Sequence, residues 1–207
     1  MVQQTDIDAA VRDSHIPAAK HWIGGKQVDA SDGNVMANTS PIDGKPLGAL
    51  ARGTHEDIDR AVASARAAYE DGRWSGMAPA ARKKILHRVA DLIEQHLVEL
   101  AVLGVRDNGT EISMALKAEP GSASATFRYY AETCDKVNGD IAPTPPGTLG
   151  LVHRESVGVV GAIVPWNFPL MIGAWKLAPA LAMGNSVVLK PAEVASLSLL
   201  RLVELCH

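Results

Sequence analysis

The sequence predicts an α/β fold, in which a run of amphipathic helices is followed by parallel strands of a sheet that these residues leave incomplete. Three observations predict it. Residues 54–136 carry apolar side chains at helical spacing in three or four successive segments. Residues 157–164 and 186–189 are apolar runs of strand length with a helical stretch at 170–183 between them, the β-α-β order that gives parallel strands and a right-handed crossover. The composition, 47% apolar and 21% charged over 207 residues, can bury a core and excludes disorder over most of the length.

Residues 1–18 read as a polar lead-in that admits a short helix, with neither the basic start nor the apolar centre of a secretory signal. His21-Trp22-Ile23-Gly24-Gly25-Lys26-Gln27-Val28 reads as a hairpin, because Gly-Gly supplies the positive φ of a tight turn. Ser40-Pro41-Ile42-Asp43-Gly44-Lys45 is a second turn, followed by a strand at 47–51. Thr54 precedes an acidic first turn, and Ile58, Ala61, Val62, Ala65 and Tyr69 form the apolar face of the helix it starts. A second helix begins near Pro79 with the stripe Ile85, Val89, Leu92 and Ile93. A third covers about 97–105, either separate or continuing the second, and a fourth about 122–136. Pro143-Thr144-Pro145-Pro146-Gly147 reads as a linker, after which 149–155 is a strand with outward polar residues. The runs 157–164 and 186–189 read as fully buried strands, and Ser196 as the cap of a last helix at 197–205.

Charge and cysteine usage narrow the function. Lysine and arginine number 20 against 23 acidic residues, a net charge of -3, which excludes a strongly basic nucleic-acid surface. The uncharged stretch 156–175 has the length of a membrane span, but Pro165, Asn167 and Pro169 interrupt it where lipid could not satisfy the freed backbone. Two cysteines, Cys134 and Cys206, do not make a disulfide framework, so a soluble protein of the reducing cytoplasm is expected; both read as small packing residues. Seven histidines are scattered without metal-ligand spacing, and no metal is expected.

The candidate chemistry lies at the carboxyl ends of the two apolar strands, where open α/β sheets bind ligands. Pro165-Trp166-Asn167-Phe168-Pro169 holds an amide between two prolines. A fixed amide N–H₂ is what an oxyanion hole needs; the alternative is a turn asparagine bonded to its own backbone, the commoner fate of an isolated Pro-x-Asn-x-Pro. The second strand ends in Lys190-Pro191-Ala192-Glu193. An ammonium and a carboxylate there can bond the paired hydroxyls of a ribose, and the carboxylate would repel a 2′-phosphate, so NAD is expected over NADP. Alone, such a pair is more often a surface ion pair. Lys176 sits in a very apolar helix and either snorkels to solvent, the commoner outcome, or reaches a polar site. The G-x-G-x-x-G fingerprint is absent after the first strand; Gly158 and Gly161 lie within it.

The run 158–169, then Trp175-Lys176-Leu177-Ala178-Pro179-Ala180-Leu181-Ala182-Met183-Gly184-Asn185, then Lys190-Pro191-Ala192-Glu193, resembles the NAD(P)-dependent aldehyde dehydrogenases. Looser likeness extends to Trp22-Ile23-Gly24-Gly25, Pro41, Asp57-Ile58-Asp59-Arg60-Ala61 and Trp74. Arg73-Trp74-Ser75 and Tyr129-Tyr130-Ala131-Glu132 are most similar to the aminoaldehyde and γ-glutamyl-aminobutyraldehyde enzymes. The resemblance implies the N-terminal part of an aldehyde-dehydrogenase-like fold with an incomplete parallel Rossmann-like sheet. Residues 1–147 would be the helical and hairpin part of the cofactor domain, 148–156 an oligomerisation strand, and 157–207 the start of the NAD-binding βαβ unit.

It also implies roles. Asn167 matches the oxyanion asparagine, Lys176 a lysine of the catalytic machinery, Ile163, Pro165 and Trp166 the cofactor lining, and Lys190 and Glu193 the ribose-binding pair. In the family reaction a cysteine thiolate attacks an aldehyde, hydride passes to nicotinamide, and a glutamate-activated water releases the acid. The partners implied are a small aldehyde and a second copy in a homodimer or homotetramer, with no nucleic acid and no membrane. The family's nucleophilic cysteine, glutamate base and pyrophosphate-binding glycine loop are expected beyond residue 207. The chain is therefore expected to be an N-terminal piece, inactive alone, with a catalytically inactive nucleotide-binding or oligomerisation fragment as the alternative.

Overall fold

The computed structural model describes residues 2–13, 16 and 20–207. The short helix expected in the lead-in is present as α1 (Gln4–Asp13), whose Asp6 carboxylate accepts from the Gln3 N–H at 2.8 Å; the rest of that lead-in, residues 14, 15, 17 and 18, lies outside the described residues. The Gly-Gly hairpin joins β1 (His21–Ile23) to β2 (Lys26–Val28), with Gly24 and Gly25 at φ +62° and +74°. The second turn closes an antiparallel pair, β3 (Val35–Thr39) with β4 (Pro46–Ala51), held by Ser40 N–H donating to the Lys45 carbonyl at 2.9 Å.

Helix α2 (His55–Glu70) starts at Thr54 as expected, in a reciprocal capping box with Asp57. Its expected apolar face is only partly covered. Ile58 and Val62 are 48% and 40% exposed, while Asp57 is buried. The reason is that the Asp57 carboxylate serves as an anchor. It accepts from the N–H groups of Thr54 and Ser31, both at 3.0 Å, and from the Ser31 hydroxyl at 3.2 Å.

The core is built by α3 (Pro79–Gln95), α4 (Leu97–Asn108), α5 (Ile112–Ala118) and α6 (Pro120–Thr133). Leu86, not Ile85, joins Val89, Ala90 and Ile93 in the buried stripe of α3, which shifts the expected face by one residue. These pack with Leu100, Ala123, Phe127 and Ala131. Helices α3 and α4 are separate, divided at His96, and the short α5 went unread. Cys134 is buried as expected, whereas Cys206 ends the last helix as an exposed residue, although burial around its thiol pushes its pKa up to about 11.

The Pro-rich linker is in fact a hairpin loop. It joins β5 (Asp140–Ala142) to β6 (Gly150–Val152), and the Thr144 hydroxyl donates to the Thr148 carbonyl at 2.6 Å across it. The strand expected over 149–155 is thus three residues long.

The β-α-β unit is present as β7 (Val159–Ile163), α7 (Pro169–Ala182) and β8 (Ser186–Lys190), followed by α8 (Leu197–Leu205). The strands pair in parallel from Val159↔Ser186 to Ile163↔Lys190. They are not fully buried. Each has a strand neighbour on one edge only among the described residues, and Ile163 is 79% exposed. Helix α7 turns Leu170, Ala174, Ala178 and Ala182 into the core, and a side chain at Gly173 would meet Leu199 at 2.5 Å, so glycine there sets how closely α8 approaches.

Asp57 gives the fold a sign-definite acid response. Its carboxyl is held down to about 2 by the Thr54 and Ser31 groups that bond its ionised form. That stability is present above the ordinary value of 3.8 and is lost as pH falls through the folded value. Between about pH 4 and 2, the unfolding midpoint of the wild-type chain should therefore fall more steeply than that of Asp57→Asn, as read by circular dichroism.

Candidate functional site

Strands β7 and β8 end side by side. The Val164 N–H donates to the Lys190 carbonyl at 3.0 Å, one step past the last paired residues. The two βα turns therefore leave the sheet as neighbours, as expected of parallel strands joined by one crossover.

From the β7 turn, Ile163, Pro165, Trp166 and Asn167 are all exposed. Trp166 is 60% exposed, an unusual state for so large an apolar ring. Among the described residues nothing hydrogen-bonds the Asn167 side chain, so the self-bonded turn asparagine is not what forms. The loop around it is nevertheless held. Asn108 Nδ2 donates to the Trp166 carbonyl at 3.3 Å, Ile172 N–H to the Phe168 carbonyl at 2.9 Å, and Pro169 fixes the first helical φ of α7.

From the β8 turn, Lys190 Nζ donates to Glu193 Oε1 at 2.5 Å, both side chains about half exposed. The ammonium holds the Glu193 carboxyl below its ordinary value, so the pair is ionised and faces solvent. Lys176 is not with them. It lies exposed on α7 seven residues after Pro169, two turns or about 10 Å along the axis. Its charge in an apolar helix is explained by reach to solvent.

Sequence reasoning missed the groups that hold these turns. Ser196 does not cap α8, because its backbone is not extended and its hydroxyl is buried without a partner. Asp107 caps it instead. One carboxylate oxygen accepts from the Leu197 N–H at 2.7 Å, the other from Asn38 Nδ2 at 2.9 Å. Glu119, buried between α5 and α6, does the same for α7, one oxygen accepting from the Met171 N–H at 2.8 Å. Burial pushes both carboxyls above their ordinary values, and the N–H groups they accept from oppose this. One signal was readable. Asp107 stands in the last turn of α4, where a negative charge opposes that helix's own dipole and needs a partner elsewhere.

A groove of about 660 Å³ runs between α6 and α7, lined by Ser122, Ala125, Thr126, Tyr129, Tyr130 and Trp175. Among the described residues, no three His, Cys, Asp or Glu side chains gather to hold a metal, and no helix is long and apolar enough to cross a membrane. At the strand ends, the neighbouring turns carry an exposed amide, Asn167, exposed apolar side chains and the ionised Lys190–Glu193 pair.

Comparison with known proteins gives the same answer along the chain. The model of the aldehyde dehydrogenase family matches residues 28–207. The NADP/NAD-dependent aldehyde dehydrogenase PuuC of Escherichia coli is 46% identical over 184 residues, 89% of this chain and 37% of that protein. An aminoacetaldehyde dehydrogenase of Pseudomonas aeruginosa is likewise 46% identical over 184 residues, again 89% and 37%. A solved indole-3-acetaldehyde dehydrogenase complexed with NAD+ superposes with a TM-score of 0.94 at 42% identity, covering all of this chain and 41% of that one. The chain thus spans under two-fifths of the length of the curated relatives it matches here.

Asp107→Ala leaves the Leu197 N–H and the Asn38 amide without their acceptor in a buried place. The expected loss is about 3 kcal/mol in urea unfolding, against under about 0.5 kcal/mol for an exposed carboxylate such as Glu56 replaced by alanine.

Proposed function

Because this chain belongs to the aldehyde dehydrogenase family, we propose that its residues form the cofactor-binding side and one oxyanion donor of an enzyme that oxidises a small aldehyde to a carboxylic acid with NAD. The single observation that carries this is the pairing of Ile163 with Lys190, which makes the Asn167 turn and the Lys190–Glu193 turn neighbours. The names of the relatives favour an aminoaldehyde as the substrate class.

The residues fit a dinucleotide. Lys190 and Glu193 are ionised, half exposed and adjacent, suited to the two hydroxyls of an adenosine ribose. The anionic carboxylate disfavours a 2′-phosphate, hence NAD in preference to NADP. Ile163, Pro165 and Trp166 offer the apolar surface beside them. A bound nicotinamide would supply the hydride acceptor. Asn167 has both amide hydrogens free to donate to the oxygen of a reacting aldehyde as negative charge develops on it. The exposed Lys176, further along α7, belongs to the same machinery by resemblance, as an electrostatic contributor at the edge of the site.

The nucleophile is a separate matter. Cys134 is buried, and burial raises its pKa, which suppresses the thiolate. Cys206 stands at the opposite end of α8 from the turns. These 207 residues alone are therefore proposed to bind nucleotide without oxidising aldehyde. The exposed apolar strip Ile141, Leu149 and Leu151 on the β5–β6 hairpin supports assembly of the enzyme as a homodimer or homotetramer. Free cysteines favour the reducing cytoplasm.

Calorimetric titration of the chain with NAD tests this. Binding is expected, weakened about tenfold by Glu193→Ala, with NADP binding more weakly than NAD and the gap narrowing in that variant. Asn167→Ala should leave NAD affinity within about twofold, since its proposed partner is the aldehyde oxygen. No NAD binding, or binding indifferent to Glu193, overturns the reading; aldehyde-dependent NADH production by the chain alone overturns the exclusion of Cys134 and Cys206.

A further inference from the structure

Asn167 is exposed and makes no hydrogen bond of its own within the protein, so its direction is decided entirely by the backbone that carries it. That backbone is the entry to α7, two residues ahead of Pro169. Helix entries are usually fixed by a capping side chain at the entry itself. Here Phe168 occupies that position and gives no side-chain bond, and Pro169 has no N–H to offer. Of the first free N–H groups, the one at Met171 donates to the carboxylate of Glu119 at 2.8 Å, 52 residues earlier in sequence.

The Glu119 backbone is itself immobilised. Its N–H donates to the Ala115 carbonyl at 3.1 Å, and its carbonyl accepts from Ala123 at 3.0 Å, tying it into α5 and α6 at once. The side chain is 4% exposed, and its second oxygen, Oε1, has no partner. A buried carboxylate with an oxygen to spare is expensive for stability alone. A neutral or apolar residue with a local cap would cost less, so the arrangement calls for a use that stability does not provide.

We infer that Glu119 is a positioning residue for Asn167: it clamps the first turn of α7 to the α5–α6 junction, and so aims the amide of the preceding loop. The inference rests on the oxyanion role proposed for Asn167. A donor contributes most to catalysis when it needs no reorganisation, and on the C-terminal side of this one Glu119 is the side chain that ties the helix entry to another element. On the N-terminal side Asn108 holds the Trp166 carbonyl, so the loop is pinned at both ends by side chains of the helical half.

The test uses the whole chain without nucleotide, comparing wild type with Glu119→Ala, Glu119→Gln and Glu119→Asp by nuclear magnetic resonance. In Glu119→Ala, amide exchange at Leu170 and Met171 is expected to rise about tenfold while the later turns of α7 stay protected. The two side-chain amide signals of Asn167 should each shift toward the value of a free asparagine. Glu119→Gln keeps an acceptor oxygen and should restore most of the protection and the Asn167 signals. Unchanged Asn167 signals in Glu119→Ala, or loosening of α7 as a whole, overturns the inference. Should the alanine variant not fold, Glu119→Asp, one methylene too short to reach, is judged by the same signals. Failure of the wild-type chain to bind NAD would overturn the preceding reading and leave these signals to decide the role of Glu119 by themselves.

Discussion

Helices α7 and α8 begin in the interior without a capping side chain of their own. An α-helix leaves its first N–H groups unbonded, and each one buried without an acceptor costs about 1–3 kcal/mol. At the entries of α7 and α8 the debt is met by carboxylates distant in sequence, Glu119 for Met171 and Asp107 for Leu197. These two interactions join the helical half of the chain to the two turns at the strand ends. Without them β7 and β8 would still pair, but nothing would fix where their turns point. Asp107 goes further, since its other oxygen accepts from Asn38 on β3, so one side chain ties the first hairpin pair, α4 and α8 together.

The same arrangement bears on how a dinucleotide can bind. In many nucleotide-binding folds the pyrophosphate takes the free N–H groups of the helix after the first strand. Here the Met171 N–H donates to Glu119, so the positive end of α7 already faces a carboxylate. A phosphate has little to gain there, which agrees with the missing glycine fingerprint. What the crevice presents instead is the Lys190–Glu193 pair and exposed apolar side chains, a surface suited to the sugar and ring portions of a ligand.

Local chemistry was legible in the sequence, and long-range polar chemistry was not. The Gly-Gly hairpin, the Thr54 capping box and the β-α-β unit follow from residues close in sequence, and the structure contains each of them. The neighbouring positions of Asn167 and Lys190 followed from topology. The Ser196 cap did not form because the Ser196 backbone is not extended, and the N–H that follows it, at Leu197, goes to Asp107, invisible to any local window. The Ile85 stripe was off by one because a helical face is wider than its sequence pattern, and only packing against α6 chose Leu86. The linker at 143–147 was misread because prolines mark a hairpin loop as readily as a boundary. An apolar run of strand length does not say which faces are covered, and here Ile163 at the end of β7 is 79% exposed.

The ends of β7 and β8 leave the sheet side by side, with Glu119 and Asp107 anchoring the helices that follow them, and the proposed cofactor site rests on that. A crystal structure of the chain soaked with NAD measures this most directly. The account predicts an adenosine ribose against Lys190 and Glu193, with the molecule running over Ile163, Pro165 and Trp166 and the Asn167 amide left open. Nucleotide bound on another face, or seated on the first-turn N–H groups of α7 with Glu119 displaced, would contradict it.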